Sequence, residues 1–196
     1  MSKRFASIVS LIVVLAACGS SSSMDMSGSM DMSESSEISA TESSEFNDED
    51  AHFAQMMIPH HEQAIEMSDI ALDPTVGASD VVRNLATQIK GAQDPEITQM
   101  KNWLTAWDRT EMDSSMDMSE MMGGMLSADQ LINLGTLRGA EFDKAWIEGM
   151  IGHHEGAIQM STVVLAKGLN PQVRVLAEAI ISGQQKEIDM MKALLG

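Results

Sequence analysis

Four of the five histidines form two adjacent pairs, His60-His61 and His153-His154, and each pair sits inside the same phrase. Met57-Ile-Pro-His-His-Glu-Gln-Ala-Ile-Glu-Met-Ser68 matches Met150-Ile-Gly-His-His-Glu-Gly-Ala-Ile-Gln-Met-Ser161 at nine of twelve positions. Imidazole nitrogen suits copper, zinc, iron and nickel, whereas thioether sulfur is soft and selects Cu(I) or Ag(I). A set made of Met57, His60, His61 and Met67, repeated as Met150, His153, His154 and Met160, therefore points to a copper ion. Cu(I) is favoured, Cu(II) is accessible through the imidazoles, and silver is a chemical stand-in. One inward histidine alone would more often be a hydrogen-bonded core residue. Here the pair, its flanking methionines and an upstream aspartate all occur twice.

Carboxylates extend the constellation. Asp50 lies eleven residues before His61, three turns on one helical edge, and Asp143 repeats that position before His154. Glu96 and Glu187 fall on otherwise apolar stripes, one turn after Gln93 and Gln184 and one turn before Met100 and Met191. A carboxylate facing a core needs a partner, because desolvation is expensive. That partner could be a metal, a facing histidine, or Arg83 and Arg174. A Glu–His bond would still serve a metal, since such carboxylates orient the imidazoles that bind it.

The elements that must position these groups are helical. On a 100° wheel, Asp50, Phe53, Met57, His60, Ala64, Met67 and Ala71 fall within about 100° of one another. Val82, Leu85, Ile89, Gln93, Glu96, Met100 and Leu104 recur at intervals of three or four. Val82 to Leu104 matches Val173 to Leu195 at eleven of twenty-three positions, so each half reads helix, short loop, helix. Asp73-Pro74 and Gly168 to Pro171 mark the two loops, with Pro171 suited to a first helical turn. Ser127-x-x-Gln130 is the pattern of a capping box opening a short extra helix. Pro95 should kink or interrupt the second helix. Two hairpins, each with one apolar stripe, bury those stripes against each other, which predicts an all-α, ferritin-like four-helix bundle built from two repeated helical hairpins.

Residues 46–196 form that bundle: 46–109 the first hairpin, 110–126 a Met-rich linker, and 127–196 the second hairpin. Residues 1–17 read as a lipoprotein signal peptide, with Lys3 and Arg4, an apolar run from Ile8 to Ala17, and Leu15-Ala16-Ala17-Cys18 resembling a lipobox. Cys18 would carry the lipid, and as the only cysteine it leaves no disulfide or thiolate site. The expected location is the cell surface or periplasm, with the lipid as the sole link to a membrane. Residues 18–45 are a Ser/Met/Asp-rich tether too polar to fold alone. The net charge of −17 at pH 7 disfavours nucleic acid, whose phosphates require Lys and Arg. Metal ions are the expected partners; no protein partner is indicated, and self-association stays open.

Methionine is the odd count: 19, against 4 Phe, 3 Trp and no Tyr. Ten of them (Met24, Met26, Met30, Met32, Met112, Met116, Met118, Met121, Met122 and Met125) lie in polar segments without apolar periodicity, where core packing does not account for them. The Met-Asp-Met tracts could collect copper loosely or be a quirk of a tether.

Phe142-Asp-Lys-Ala-Trp-Ile-Glu-Gly-Met-Ile-Gly-His-His-Glu-Gly-Ala-Ile-Gln-Met160, followed by Gln184, Glu187-Ile188 and Met191, resembles the bacterial domain-of-unknown-function 305 family. The resemblance covers about residues 46–196. It implies an exported ferritin-like bundle in a family that includes periplasmic copper-binding proteins tied to copper resistance. Carried over by position, the motif residues are Met57, His60, His61, Met67, Gln93, Glu96 and Met100, then Met150, His153, His154, Met160, Gln184, Glu187 and Met191. The first copy departs at Glu49-Asp50, where the second has Phe142-Asp143, and at Pro95, where the second has Lys186. The expected function is copper buffering, sequestration or resistance without catalysis. Two other readings stand beside it. A di-iron oxidase needs Glu-x-x-His on paired helices, and Glu49-x-x-His52 is the sole occurrence. A metal-free interaction module would use the buried His and Glu only for hydrogen bonds.

Overall fold

Helix starts are written locally in this chain. Asn47 and Asp50 exchange side-chain and backbone hydrogen bonds in a capping box that opens α1, Asp48–Leu72. Ser79 caps α2, Asp80–Ala106. Ser127 and Gln130 form the expected second capping box and open the short α3, Ala128–Thr136. Arg138 precedes α4, Gly139–Lys167. Asn170 accepts from two amides ahead of α5, Pro171–Leu195, whose Pro171 takes the first-turn position. The computed structural model describes residues 45–112 and 122–196. The signal segment 1–17, Cys18, the tether up to residue 44, and Met116, Met118 and Met121 lie outside the described residues.

α1 packs on α2 and α4 on α5, forming the two hairpins, and α1 meets α4 across the centre. The architecture is the all-α helical bundle the periodicity predicts, with α3 as an addition on the α4 side. Every residue of the α1 inward stripe named above is buried. Two apolar clusters lie along the bundle. One holds Met67, Leu85, Ile89, Phe142, Trp146, Met150, Ile188 and Met191. The other holds Phe53, Met57, Met100, Trp103, Leu104, Val173 and Ile180. Among the described residues, no helix is long and apolar enough to cross a membrane.

Pro95 does not interrupt α2, which runs unbroken from Asp80 to Ala106, and Pro59 is likewise inside α1. Each proline removes one backbone donor. The surrounding packing holds the helix together regardless.

The hairpins interlock through the two aspartates. The Asp50 carboxylate accepts from the amides of Asn47, Leu169 and Asn170, at 2.9, 2.9 and 3.1 Å. It therefore ties the α1 start to the α4–α5 connection. Asp143 accepts from the Ser79 amide at 3.1 and 3.3 Å, so α4 ties down the α1–α2 connection in turn. Arg83 and Arg174 cap the last turns of α1 and α4, donating to the Leu72 and Leu165 carbonyls.

Candidate metal centre

The centre of the bundle is polar. His60, His61, His153 and His154 are fully buried, and Gln93 and Gln184 nearly so. α1 and α4 bring His60 and His153 face to face, with ring centroids 3.8 Å apart and planes tilted by 37°. The centroid of His154 lies 6.3 Å from that of His153. In each hairpin the outer histidine bonds a glutamate of the partner helix: His61 Nε2 to Glu96 at 2.8 Å and His154 Nε2 to Glu187 at 2.7 Å. The two bonds occupy equivalent places in the two copies. Glu96 and Glu187 stay about one-fifth exposed, at 22% and 18%, so their charges keep some water while their partners have none.

These carboxylates fix the chemistry of the outer rings. A neutral imidazole that donates Nε2–H to a carboxylate presents its Nδ1 lone pair to the interior. Nδ1 of His61 and of His154 has no hydrogen-bond partner, and neither nitrogen of His60 or His153 has one. The side-chain amides of Gln93 and Gln184 are also unpaired. Buried polar groups left this way cost about 1–3 kcal/mol each. Such a layer is expensive as mere structure and suited to a ligand that accepts lone pairs.

Both inner rings are neutral. Burial pushes the pKa of His60 from 6.5 down to about 3, helped by the repulsion between a proton here and one on the neighbouring His61; the Gly123 carbonyl pulls the other way without bonding geometry. Burial, and then the repulsion that a proton here would meet from a proton on His60 or His154, hold His153 well below its ordinary value. Neutral imidazole is the metal-binding form.

The structure does not bring every candidate to this layer. Asp50 and Asp143 lie at the helix connections and satisfy backbone amides there. Eleven residues amount to about 16 Å of helix, so a shared edge is not a shared site. Met57 and Met100 lie in one flanking apolar cluster, and Met67, Met150 and Met191 in the other, all fully buried. Met160 is partly exposed and packs at the edge of the Met57–Met100 cluster and against Met56 and Met122. Arg83 and Arg174 do not pair with Glu96 and Glu187, whose partners are the histidines. Glu62 and Glu155 face outward to Lys101 and Lys192, at 2.8 and 3.1 Å. Among the described residues, no three His, Cys, Asp or Glu side chains converge to hold an ion by themselves.

Sequence reasoning missed what closes the layer. The turn at Gly123-Gly124 lies directly on α4. A Cβ on Gly156 would stand 1.8 Å from the Gly123 carbonyl oxygen and 3.2 Å from His60 Nε2. Gly124, at φ +86, likewise has no room for one against the Gly152 carbonyl. On the opposite copy Gln63 replaces Gly156 and clamps the linker, donating to the Leu126 carbonyl at 2.8 Å and accepting from its amide at 2.7 Å. Met112, Met122 and Met125 thus pack against the domain, correcting their reading as residues of a polar segment without a packing role. Backbone-to-glycine packing leaves no periodicity; the glycine pair and the exchange of Gln63 for Gly156 were the available signals.

The family model described as a domain of unknown function (DUF305) matches residues 50–195. A family protein of Streptomyces coelicolor described as secreted is similar in structure, with a TM-score of 0.68, 32% identity, and 75% of this chain and 91% of that one covered. A family fragment from Deinococcus radiodurans gives a TM-score of 0.69 at 29% identity, covering 76% and 97%. CopM in its Cu(II)-bound form gives 0.64 at 31% identity, covering 74% and 94%. CopM has also been solved with Cu(I) and with silver. A stretch of 53 residues is 42% identical to uncharacterized protein L153 of Acanthamoeba polyphaga mimivirus, spanning 35% of that protein.

Proposed function

The chain belongs to the DUF305 family, and from that premise we propose that it binds copper in the buried histidine layer, as a buffering or sequestering protein of the cell envelope. The observation that carries this reading is the set of six buried imidazole nitrogens without a protein partner, both nitrogens of His60 and His153 and Nδ1 of His61 and His154. Imidazole lone pairs lie in the ring plane, so a cation is held at the edges of the two tilted rings and not between their faces. Few donors converge and carboxylates are already bonded to imidazoles, which favours a low-coordinate soft ion, Cu(I) or Ag(I), over iron. Thioethers of the flanking clusters suit the same ion. The copper and silver complexes of CopM support this choice of cargo. Sequestered from water, Cu(I) is kept from redox cycling, a protective role that needs no catalysis. Export and lipidation at Cys18 belong to the same proposal and rest on the signal-like sequence.

Competition titration against a Cu(I) chelator tests the reading. The wild-type domain should bind Cu(I) more tightly than micromolar, and His60→Leu/His153→Leu should lose that equivalent. Uptake weaker than micromolar, or equal uptake by the folded double variant, contradicts it.

A further inference from the structure

Thioethers also gather outside the histidine layer. Met56 and Met122 are buried against each other, at 9% and 2% exposure, and Met112, Met125 and Met160 pack around them. Among the described residues, every apolar side chain of this cluster is a methionine. Beside it opens a cleft of about 270 Å³ lined in part by Met56, Met122 and Met160, with His52, Glu49, Gly123 and Gly156 also in its wall.

The internal repeat shows that packing does not demand this arrangement. Met160 is the counterpart of Met67, Met56 of Gly149, and Phe53 of Trp146. On the Met67 side the space is filled. Trp146 is fully buried and donates its indole N–H to the Met67 carbonyl at 3.0 Å. A Cβ on Gly149 would lie 3.4 Å from the Met67 methyl and 3.5 Å from Leu126. On the Met160 side the smaller Phe53 leaves an opening, and methionine stands where the other copy has glycine. Leucine would fill apolar space as well; a run of sulfur atoms beside a solvent-facing imidazole is a donor set for a soft ion.

We propose that Met56, Met122 and Met160, with His52, form a second, surface-accessible site for a soft monovalent cation, Cu(I) or Ag(I), separate from the buried histidine layer. Its lining reaches Gly123 and Gly156, and Gly156 stands beside His60, so the cleft lies on the outer side of the closure of the buried layer. The inference shares the soft-metal chemistry of the proposed function but uses different residues.

The test is a titration of the full mature chain, labelled at the methionine methyl carbons, with Ag(I), assigning Met56, Met122 and Met160 by single Met→Leu variants. Leucine conserves volume, so these variants should fold. The three methyl signals are expected to shift together with one equivalent of Ag(I), and to do so equally in His60→Leu/His153→Leu, where the buried layer is lost. Met56→Leu/Met160→Leu should bind one equivalent fewer than wild type while retaining the layer. Unshifted methyl signals in the wild type overturn the cleft site and leave the histidine layer standing. Loss of both equivalents in a folded Met56→Leu/Met160→Leu protein overturns its separateness. A cleft that fills normally beside a histidine layer that takes no ion sinks the proposed function alone.

Discussion

The imidazoles of His60 and His153 lie 3.8 Å apart, contributed by equivalent positions of two repeated hairpins, and neither ring has a hydrogen-bond partner. Two buried, neutral rings in contact gain some stacking, yet four unpaired nitrogens oppose it. The contact is better suited to ligand binding than to holding α1 against α4.

It follows that removing both rings should not harm the metal-free fold. Replacing buried polar groups by apolar ones of similar size is close to neutral or stabilising when no partner is left behind. His60→Leu/His153→Leu should match or exceed wild type in urea unfolding without metal, and should lose the stabilisation that Ag(I) confers on wild type. For an ion at 100 times its dissociation constant that stabilisation is about 2.7 kcal/mol. A metal-free double variant weakened by several kcal/mol would show that the pair is structural.

Acid should destabilise the metal-free protein through the same rings. His60 titrates near 3 in the fold against 6.5 when unfolded, and His153 is also lowered. Between those values the unfolded chain binds protons that the folded one refuses, so stability is present above pH 6.5 and is lost as pH falls toward 3. Each ring contributes a slope of at most about 1.4 kcal/mol per pH unit. Unfolding between pH 7 and 4 should show a flatter dependence in His60→Leu/His153→Leu, because carboxylates elsewhere titrate equally in both proteins. Parallel curves would contradict the burial of neutral rings.

Glu96 and Glu187 should act through the outer histidines. Glu96→Ala removes the acceptor that holds the His61 tautomer and should weaken Cu(I) binding about 10–100-fold. Glu96→Gln, whose amide oxygen still accepts, should be affected less. Equal affinities in wild type and Glu96→Ala would remove the glutamates from the account.

Two glycines on one face of α4 should respond oppositely to alanine. A Cβ on Gly156 runs into the Gly123 carbonyl, whereas one on Gly152 meets nothing within 4 Å. Gly156→Ala should cost about 1–3 kcal/mol and loosen the turn over the histidine layer. Gly152→Ala should be neutral or stabilising by up to about 1 kcal/mol, from helix propensity. Thermal unfolding of the two variants distinguishes them.

Much of this was legible in the sequence because it depends on helical period and repetition. The stripe through Phe53, Met57, His60, Ala64 and Met67, the capping box at Ser127, and the doubled His-His phrase are local patterns. The pairing of Glu96 with His61 was open between several partners until the helices were set side by side. Asp50 was placed on the correct edge but about three turns too far away, since a wheel reports direction and not distance. The Gly123–Gly156 contact and the Met56–Met122–Met160 cleft arise from a linker folding onto the bundle. No period encodes that, and the asymmetry between Met67 and Met160 depends on two exchanges across the repeat, Trp146 for Phe53 and Gly149 for Met56.

The central claim is that a soft ion enters the layer of His60, His61, His153 and His154. Anomalous diffraction from crystals of the domain loaded with Cu(I) reads this most directly. The account predicts a copper peak inside the bundle, bound by at least two imidazole nitrogens that are unpaired without metal. Copper confined to surface methionines and carboxylates, with the four rings unmoved and unligated, would contradict it.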